Sequence, residues 1–270
     1  MSRLDWGSNY AFSPYSMKHA AVLLTLAALA TIIVLVGRWL APVARRSFER
    51  VAGLLLIGTW LAGLTFDLIN PRASASTTLP LHWCDVCGVL AIFVMFKPQY
   101  RVARAVLHFW ALCLCSLAFI LPVIGLGPAF IDFWIYFGTH AAILLMVAYD
   151  RGVRGFEPSG RDLAWAAGLC AAWVVLLQPV NLALGANNGF VGADDRQVRK
   201  AIRSFGPWPW RIAPLLIIEV ALMCGVLLAQ QLAGRVVARL TRREQEHAPL
   251  PFPVAAPERS TPERSLQRAA

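Results

Sequence analysis

The run His82-x-Cys84-x-x-Cys87 brings one imidazole and two thiols within six residues. Three chemistries use these residue types. A thiolate pair with a histidine can hold a soft metal, the fourth ligand then coming from elsewhere, such as His140. A Cys-x-x-Cys pair can cycle between dithiol and disulfide, and on a helix positions i and i+3 share a face. A single thiolate can act as a nucleophile when a base takes its proton and a dry pocket positions an acyl carbon. Cys84 and His140 suit that third role, with His140 as the base. Against all three stands plain packing, because a buried thiol behaves as a small hydrophobe and a lone histidine as a hydrogen-bonded core residue. Cys113, Cys115, Cys170 and Cys224 have mostly apolar neighbours and read as inert. No second cluster supplies a ligand set, so neither a metal nor a cofactor is expected.

The elements that must position these residues follow from composition. The 270 residues are 58% hydrophobic and 15% charged, with a mean hydropathy of +0.58. Soluble domains run at about 45–50% apolar and about 25% charged. The chain is therefore a membrane protein, and the net charge of +10 is a topology signal rather than a mark of nucleic-acid binding. Seven apolar segments stand near the ~20 residues that cross ~30 Å of hydrocarbon: residues 20–40, 51–69, 79–96, 102–120, 130–148, 163–184 and 212–232. They do not alternate as barrel strands do, and lipid cannot satisfy free backbone groups, so they are helices. The expected fold is an all-α polytopic bundle of about seven transmembrane helices over residues 1–240. A disordered, proline- and arginine-containing tail, 241–270, follows it. The first segment is too long for a cleaved signal peptide. No Walker A loop, dinucleotide fingerprint or His-Glu-x-x-His motif is present.

With the N-terminus outside, 17 of the 25 Lys and Arg residues fall on the cytoplasmic side and 8 outside, so the chain reads as N-out and C-in. Most of the outside excess lies between Arg196 and Arg211. On this topology the polar residues gather at one depth. Asp67 and Asn70 end the second segment, and His82, Cys84 and Asp85 open the third. Asp132 and Tyr136 occupy the outer half of the fifth, with His140 near its middle, Gln178 and Asn181 the outer half of the sixth, and Glu219 lies about two turns into the seventh. Each ionisable group costs roughly 2.5–3.5 kcal/mol to insert, so such groups face a bundle interior or a wet cavity. The set reads as a polar pocket opening toward the outer leaflet. Asp85 follows Cys84 directly, about 100° around the helix, and would oppose a thiolate unless it faces away.

Four fragments, LPLHWC at 79–84, FWIYFGTH at 133–140, QPVNLALGANNGF at 178–190 and FGPWPWR at 205–211, resemble in order and spacing the YwaF-like family of integral membrane proteins, related to animal transmembrane protein 164. The resemblance covers about residues 51–232. It implies a cysteine-dependent acyltransferase that moves acyl chains between phospholipids and lysophospholipids, with Cys84 on the fragment of the functional cysteine and His140 on that of the functional histidine. His82, Tyr136 and Gln178 would then line the site. Asn181 and Asn187 would offer amide donors to an oxyanion. Trp208 and Trp210 would sit at headgroup level, with Arg211 and the basic loop over the pocket to hold a lipid phosphate. The expected partners are membrane lipids, with no nucleic acid, and the expected location is the inner membrane, multi-pass. The alternative is a transporter or a non-enzymatic lipid-binding protein with a polar outer vestibule. A transporter shows polar groups in both leaflets at some stage; here they gather mainly in one.

The charge asymmetry gives a first prediction. Alkaline phosphatase fused to the C-terminus is expected to be inactive in intact cells, and the same enzyme inserted in the Gly206–Arg211 loop active. Activity of the C-terminal fusion would reverse the topology.

Overall fold

The computed structural model describes residues 9–69, 78–193 and 200–246. Among these residues the fold is all helix, with no strand; one isolated antiparallel bridge joins Ala11 and Leu126. The helices are α1 (Met17–Trp39), α2 (Pro42–Ile69), α3 (Trp83–Phe96), α4 (Arg101–Trp110), α5 (Leu117–Ile120), α6 (Ile131–Gly152), α7 (Gly160–Leu184), α8 (Lys200–Arg203) and α9 (Ile212–Glu246), with a π-helical turn at Ala111–Cys115 between α4 and α5. Six stretches are long and apolar enough to cross a membrane, α4 to α5 counting as one, and α3 is a shorter apolar helix. The seven segments read from sequence thus become six full-length spans and one short one. The helix α9 continues to Glu246, into the stretch read as tail; residues 247–270 lie outside the described residues.

Local chemistry sets the helix ends. The Ser16 hydroxyl caps α1 by accepting from the His19 N–H at 3.3 Å. At α7 the Ser159 hydroxyl and the Asp162 carboxylate cap each other's backbone N–H, at 3.4 and 2.8 Å, a reciprocal capping box. That helix ends on Gly185 in the left-handed region, φ 58°, where a residue without Cβ fits. The turn Ala111–Cys115 widens the backbone ahead of Ser116, whose hydroxyl donates to the Leu112 carbonyl at 2.6 Å.

The short helix is the centre of the bundle. Helix α3 packs on α2, α4 and α6, while α4 packs on α7 and α1 on α6. Cys87, Ala91 and Val94 of α3 meet Val106, Leu107 and Phe109 of α4, Ala166, Cys170 and Leu177 of α7, and Met223 of α9 in one buried core. Helices α1 and α2 lie outside it, and Gly53 is the one buried residue of α2. Small residues let the helices approach: a Cβ on Gly37 would lie 2.7 Å from Tyr149 Cε2, and one on Gly88 2.6 Å from Trp60 Cδ1.

One end of the bundle is tied by ions. Arg104 pairs with Asp150 at 2.9 Å, Arg101 with Asp162 at 2.6 Å and Arg154 with Glu49 at 3.0 Å. Arg154 also donates to the Val94 and Met95 carbonyls at 2.9 and 2.8 Å, capping the end of α3. The arginines read from sequence as topology signals therefore also bind α2, α3, α4, α6 and α7 together, through acids the sequence did not single out.

These pairs differ in burial. The Arg104 and Asp150 side chains are 17% and 5% exposed, whereas Arg101 is 58% exposed. Removing one partner of a buried pair costs about 3–5 kcal/mol and an exposed pair contributes about 0–1 kcal/mol. Arg104→Met is therefore expected to lower the unfolding free energy in detergent by about 3 kcal/mol or more, and Arg101→Met by about 1 kcal/mol or less. Equal losses in denaturant titrations would contradict the assignment.

Candidate functional site

At the end opposite the ion pairs, the bundle encloses a cavity of 460 Å³, within the usual range of ligand pockets, about 300–1,000 Å³. Its walls are Trp60, Gly63 and Asp67 of α2, the start of α3 with His82, Cys84, Asp85 and Gly88, and Asp132, Tyr136, Thr139 and His140 of α6. The link Val123–Leu126 closes one side. The N-terminal segment straps that link: the Phe12 N–H donates to the Gly125 carbonyl at 2.9 Å and the Gly127 N–H to the Tyr10 carbonyl at 3.1 Å. Gly88 admits the Trp60 indole against α3, so this glycine sets one wall of the cavity.

Cys84 occupies the first turn of α3 and is half-buried. The Asp85 and Val86 N–H groups donate to the His82 carbonyl at 3.0 and 3.2 Å, closing the first turn. Asp85 departs from the expectation that it faces away. Its Oδ2 accepts from the His82 N–H at 3.0 Å, fixing the helix start, and its Oδ1 accepts from the Cys84 thiol at 3.9 Å. Cys87, one turn on, is fully buried in the core and does not line the cavity. The two thiols of the Cys-x-x-Cys run therefore meet different surroundings. Among the described residues, no group of three or more His, Cys, Asp or Glu is placed to hold a metal ion.

His140 lines the same cavity from α6. Its Nδ1 lies 2.7 Å from the Tyr136 carbonyl. A carbonyl only accepts, so Nδ1 carries the proton and in the neutral ring Nε2 has the lone pair. His140 is thus set in the tautomer a general base requires. The Tyr136 ring packs against it at 4.9 Å between centroids, and the Tyr136 hydroxyl bonds the link, accepting from the Val123 N–H at 3.3 Å. His82 takes the opposite tautomer. Its Nδ1 accepts from the Gly189 N–H at 3.4 Å, which leaves the proton on Nε2.

The remaining residues singled out from sequence do not line the cavity. Most form a clasp behind it. The Asn181 side chain bonds both the N–H and the carbonyl of Asn188, at 2.8 and 3.0 Å. The Asn187 side-chain oxygen accepts from the Gly192 N–H at 2.7 Å. Trp208 donates to the Val191 carbonyl at 3.1 Å, and Arg211, fully buried, donates to that of Gly192 at 2.6 Å. Trp83 reaches the Gly189 carbonyl at 3.0 Å. The clasp thus fixes residues 188–192, which hold His82 and Trp83 at the start of α3. Trp210 is 77% exposed, as an interfacial anchor would be. Gln178 donates to the Val174 carbonyl at 2.9 Å, one turn back on its own helix. Glu219 is buried and does not line the cavity. Asn70 and residues 194–199 of the basic loop lie outside the described residues.

Sequence reasoning missed Trp60, Thr139 and Gly88, because an apolar or small residue inside a span carries no chemical mark. The thiol environments give a prediction. Cys84 opens on the cavity, Cys87, Cys113, Cys115 and Cys170 are buried, and Cys224 is exposed on an apolar helix face. A small charged methanethiosulfonate is expected to modify Cys84 about tenfold faster than any other cysteine, because access controls the rate and Cys84 alone opens on the cavity. His140→Ala is expected to slow that reaction. Equal rates in mass spectrometry would mark Cys84 as packing.

No curated protein and no solved structure matches the chain. A model of the TMEM164 family matches residues 14–227, which spans the cavity, the clasp and the transmembrane helices as far as the middle of α9. This multi-pass membrane protein belongs to the TMEM164 family.

Proposed function

We propose that the protein is a cysteine-dependent acyltransferase of the inner membrane, moving acyl chains between phospholipids and lysophospholipids in the outer leaflet. The observation that carries this reading is that Cys84 and His140, from different helices, line one cavity, with the His140 lone pair on Nε2. The Cys84 sulfur attacks the ester carbonyl, and His140 Nε2 takes the thiol proton. The carbon–sulfur bond forms, the ester carbon–oxygen bond breaks, and His140 returns the proton to the departing lysophospholipid oxygen. The hydroxyl of a second lysophospholipid then gives its proton to His140 and attacks the thioester, which restores the thiol. The His82 Nε2–H is a donor suited to the oxyanion.

Among the described residues the cavity wall carries Asp67, Asp85 and Asp132 and no lysine or arginine, which favours a headgroup bearing an ammonium over a bare phosphate. Arg211, expected to hold a phosphate, is instead spent on the Gly192 carbonyl. The ion pairs across the opposite end favour a closed, one-ended site over a path through the bundle.

Purified protein incubated with a phospholipid labelled in its acyl chain is expected to form a hydroxylamine-sensitive thioester on Cys84. Cys84→Ala abolishes the thioester, and His140→Ala slows its formation by about 10²–10⁴-fold, the usual worth of a general base. Lipid binding without any thioester in the wild type would replace this reading with a non-enzymatic lipid-binding role.

A further inference from the structure

A second concavity adjoins the cavity on the outside of the bundle. Leu54, Leu55, Gly58 and Ala62 of α2 and Trp134 of α6 line a groove of 360 Å³. Thr59, Ile135 and Thr139 line both the groove and the cavity, so the two meet along one strip. Among the described residues the groove has no charged lining residue, and Leu54, Leu55 and Trp134 are 64%, 66% and 59% exposed on apolar, span-length helices. The threonine hydroxyls of the strip are satisfied within their own helices. Thr59 donates to the Leu55 carbonyl and Thr139 to that of Ile135, each at 2.8 Å. What the strip offers a passing ligand is therefore largely methyl surface.

Glycine shapes this seam. A Cβ on Gly63 would lie 3.3 Å from Thr139 Cγ2, so α2 and α6 nearly touch there. A Cβ on Gly58 would meet nothing within 4 Å, so the groove floor is open. A polar cavity at one end of the seam and an apolar groove facing hydrocarbon at the other match the two halves of an amphiphile.

We infer that this groove holds the acyl chain of a membrane lipid whose polar end occupies the cavity, the lipid entering sideways between α2 and α6. Bilayer tails are as apolar as the groove, so moving a chain into it gains little hydrophobic free energy. Its contribution is orientation: a chain seated past Thr139 holds its ester in the cavity, and position is what a reacting pair needs. The inference rests on the acyl-transfer reading for the chemistry alone; groove occupancy stands without it.

The test uses full-length protein in phosphatidylcholine vesicles with a lysophosphatidylcholine carrying a diazirine at its chain terminus. Crosslinks are mapped by mass spectrometry in wild type, Cys84→Ala and Gly58→Trp, with the thioester on Cys84 scored in the same samples. Labelling of Leu54, Leu55 and Ala62 is expected to exceed that of Val175 and Leu182, which are 70% and 59% exposed on α7, by about tenfold, equivalent to about 1.4 kcal/mol of preference. The pattern persists in Cys84→Ala and falls by a similar factor in Gly58→Trp, whose indole fills the open floor; the melting temperature verifies that this variant folds. Even labelling around the bundle, or labelling unchanged in Gly58→Trp, overturns the groove. So does crosslinking of Leu55→Cys to a second copy of the chain without lipid enrichment. Groove labelling without a thioester removes acyl transfer and keeps the groove; a thioester with even labelling does the reverse.

Discussion

The central helix is too short for the membrane it sits in, and the site follows from that. Helix α3 has 14 residues, about 21 Å at a rise of ~1.5 Å per residue, against ~30 Å of hydrocarbon. A helix end at that depth cannot border lipid, because its free N–H groups would have no partner. It must be walled by protein or open on a polar cavity. Here both happen: α2 and α6 wall it, the Asp85 carboxylate takes the His82 N–H, and Cys84 in the first turn faces the space that remains.

The two ends of the bundle solve the problem of buried charge differently. At one end Glu49, Asp150 and Asp162 each meet an arginine, so desolvation is offset by a close opposite charge and the helices are held in register. At the other, Asp67, Asp85 and Asp132 line an open cavity with no arginine or lysine among the described residues of its wall. A fixed end and an open end are what the proposed sideways entry of a lipid requires.

The fragments that carried the family resemblance divide into two roles. LPLHWC and FWIYFGTH supply the cavity. QPVNLALGANNGF and FGPWPWR build the clasp, in which Asn181, Asn187, Trp208 and Arg211 spend polar groups on the backbone of residues 188–192. The clasp meets the start of α3 through the Gly189 N–H on His82, the Gly189 carbonyl on Trp83 and the Phe190 ring against that of His82. These residues position the start of α3 and do not touch the cavity. A motif so rich in polar side chains read from sequence as binding because sequence shows the donors and not the backbone groups that use them.

Hydrophobic length and charge determined the class of this protein without a structure. A bilayer demands ~20-residue apolar helices, so the apolar cores of the spans were legible, though α2 starts nine residues earlier and α9 runs fourteen residues further than the apolar runs; the gathering of Cys84, His140, Tyr136 and Asp132 was legible as well. Three things needed the tertiary structure. The pairing of Arg104 with Asp150 and of Arg154 with Glu49 joins residues far apart in the chain. The face each polar residue presents depends on helix rotation, which period alone leaves free once a helix is apolar all round; hence Asp85 beside Cys84, and Asn181 turned to the clasp. The cavity and its groove are spaces between helices, shaped by Gly58, Gly63 and Gly88, and a residue without a side chain declares nothing until its neighbours are in place.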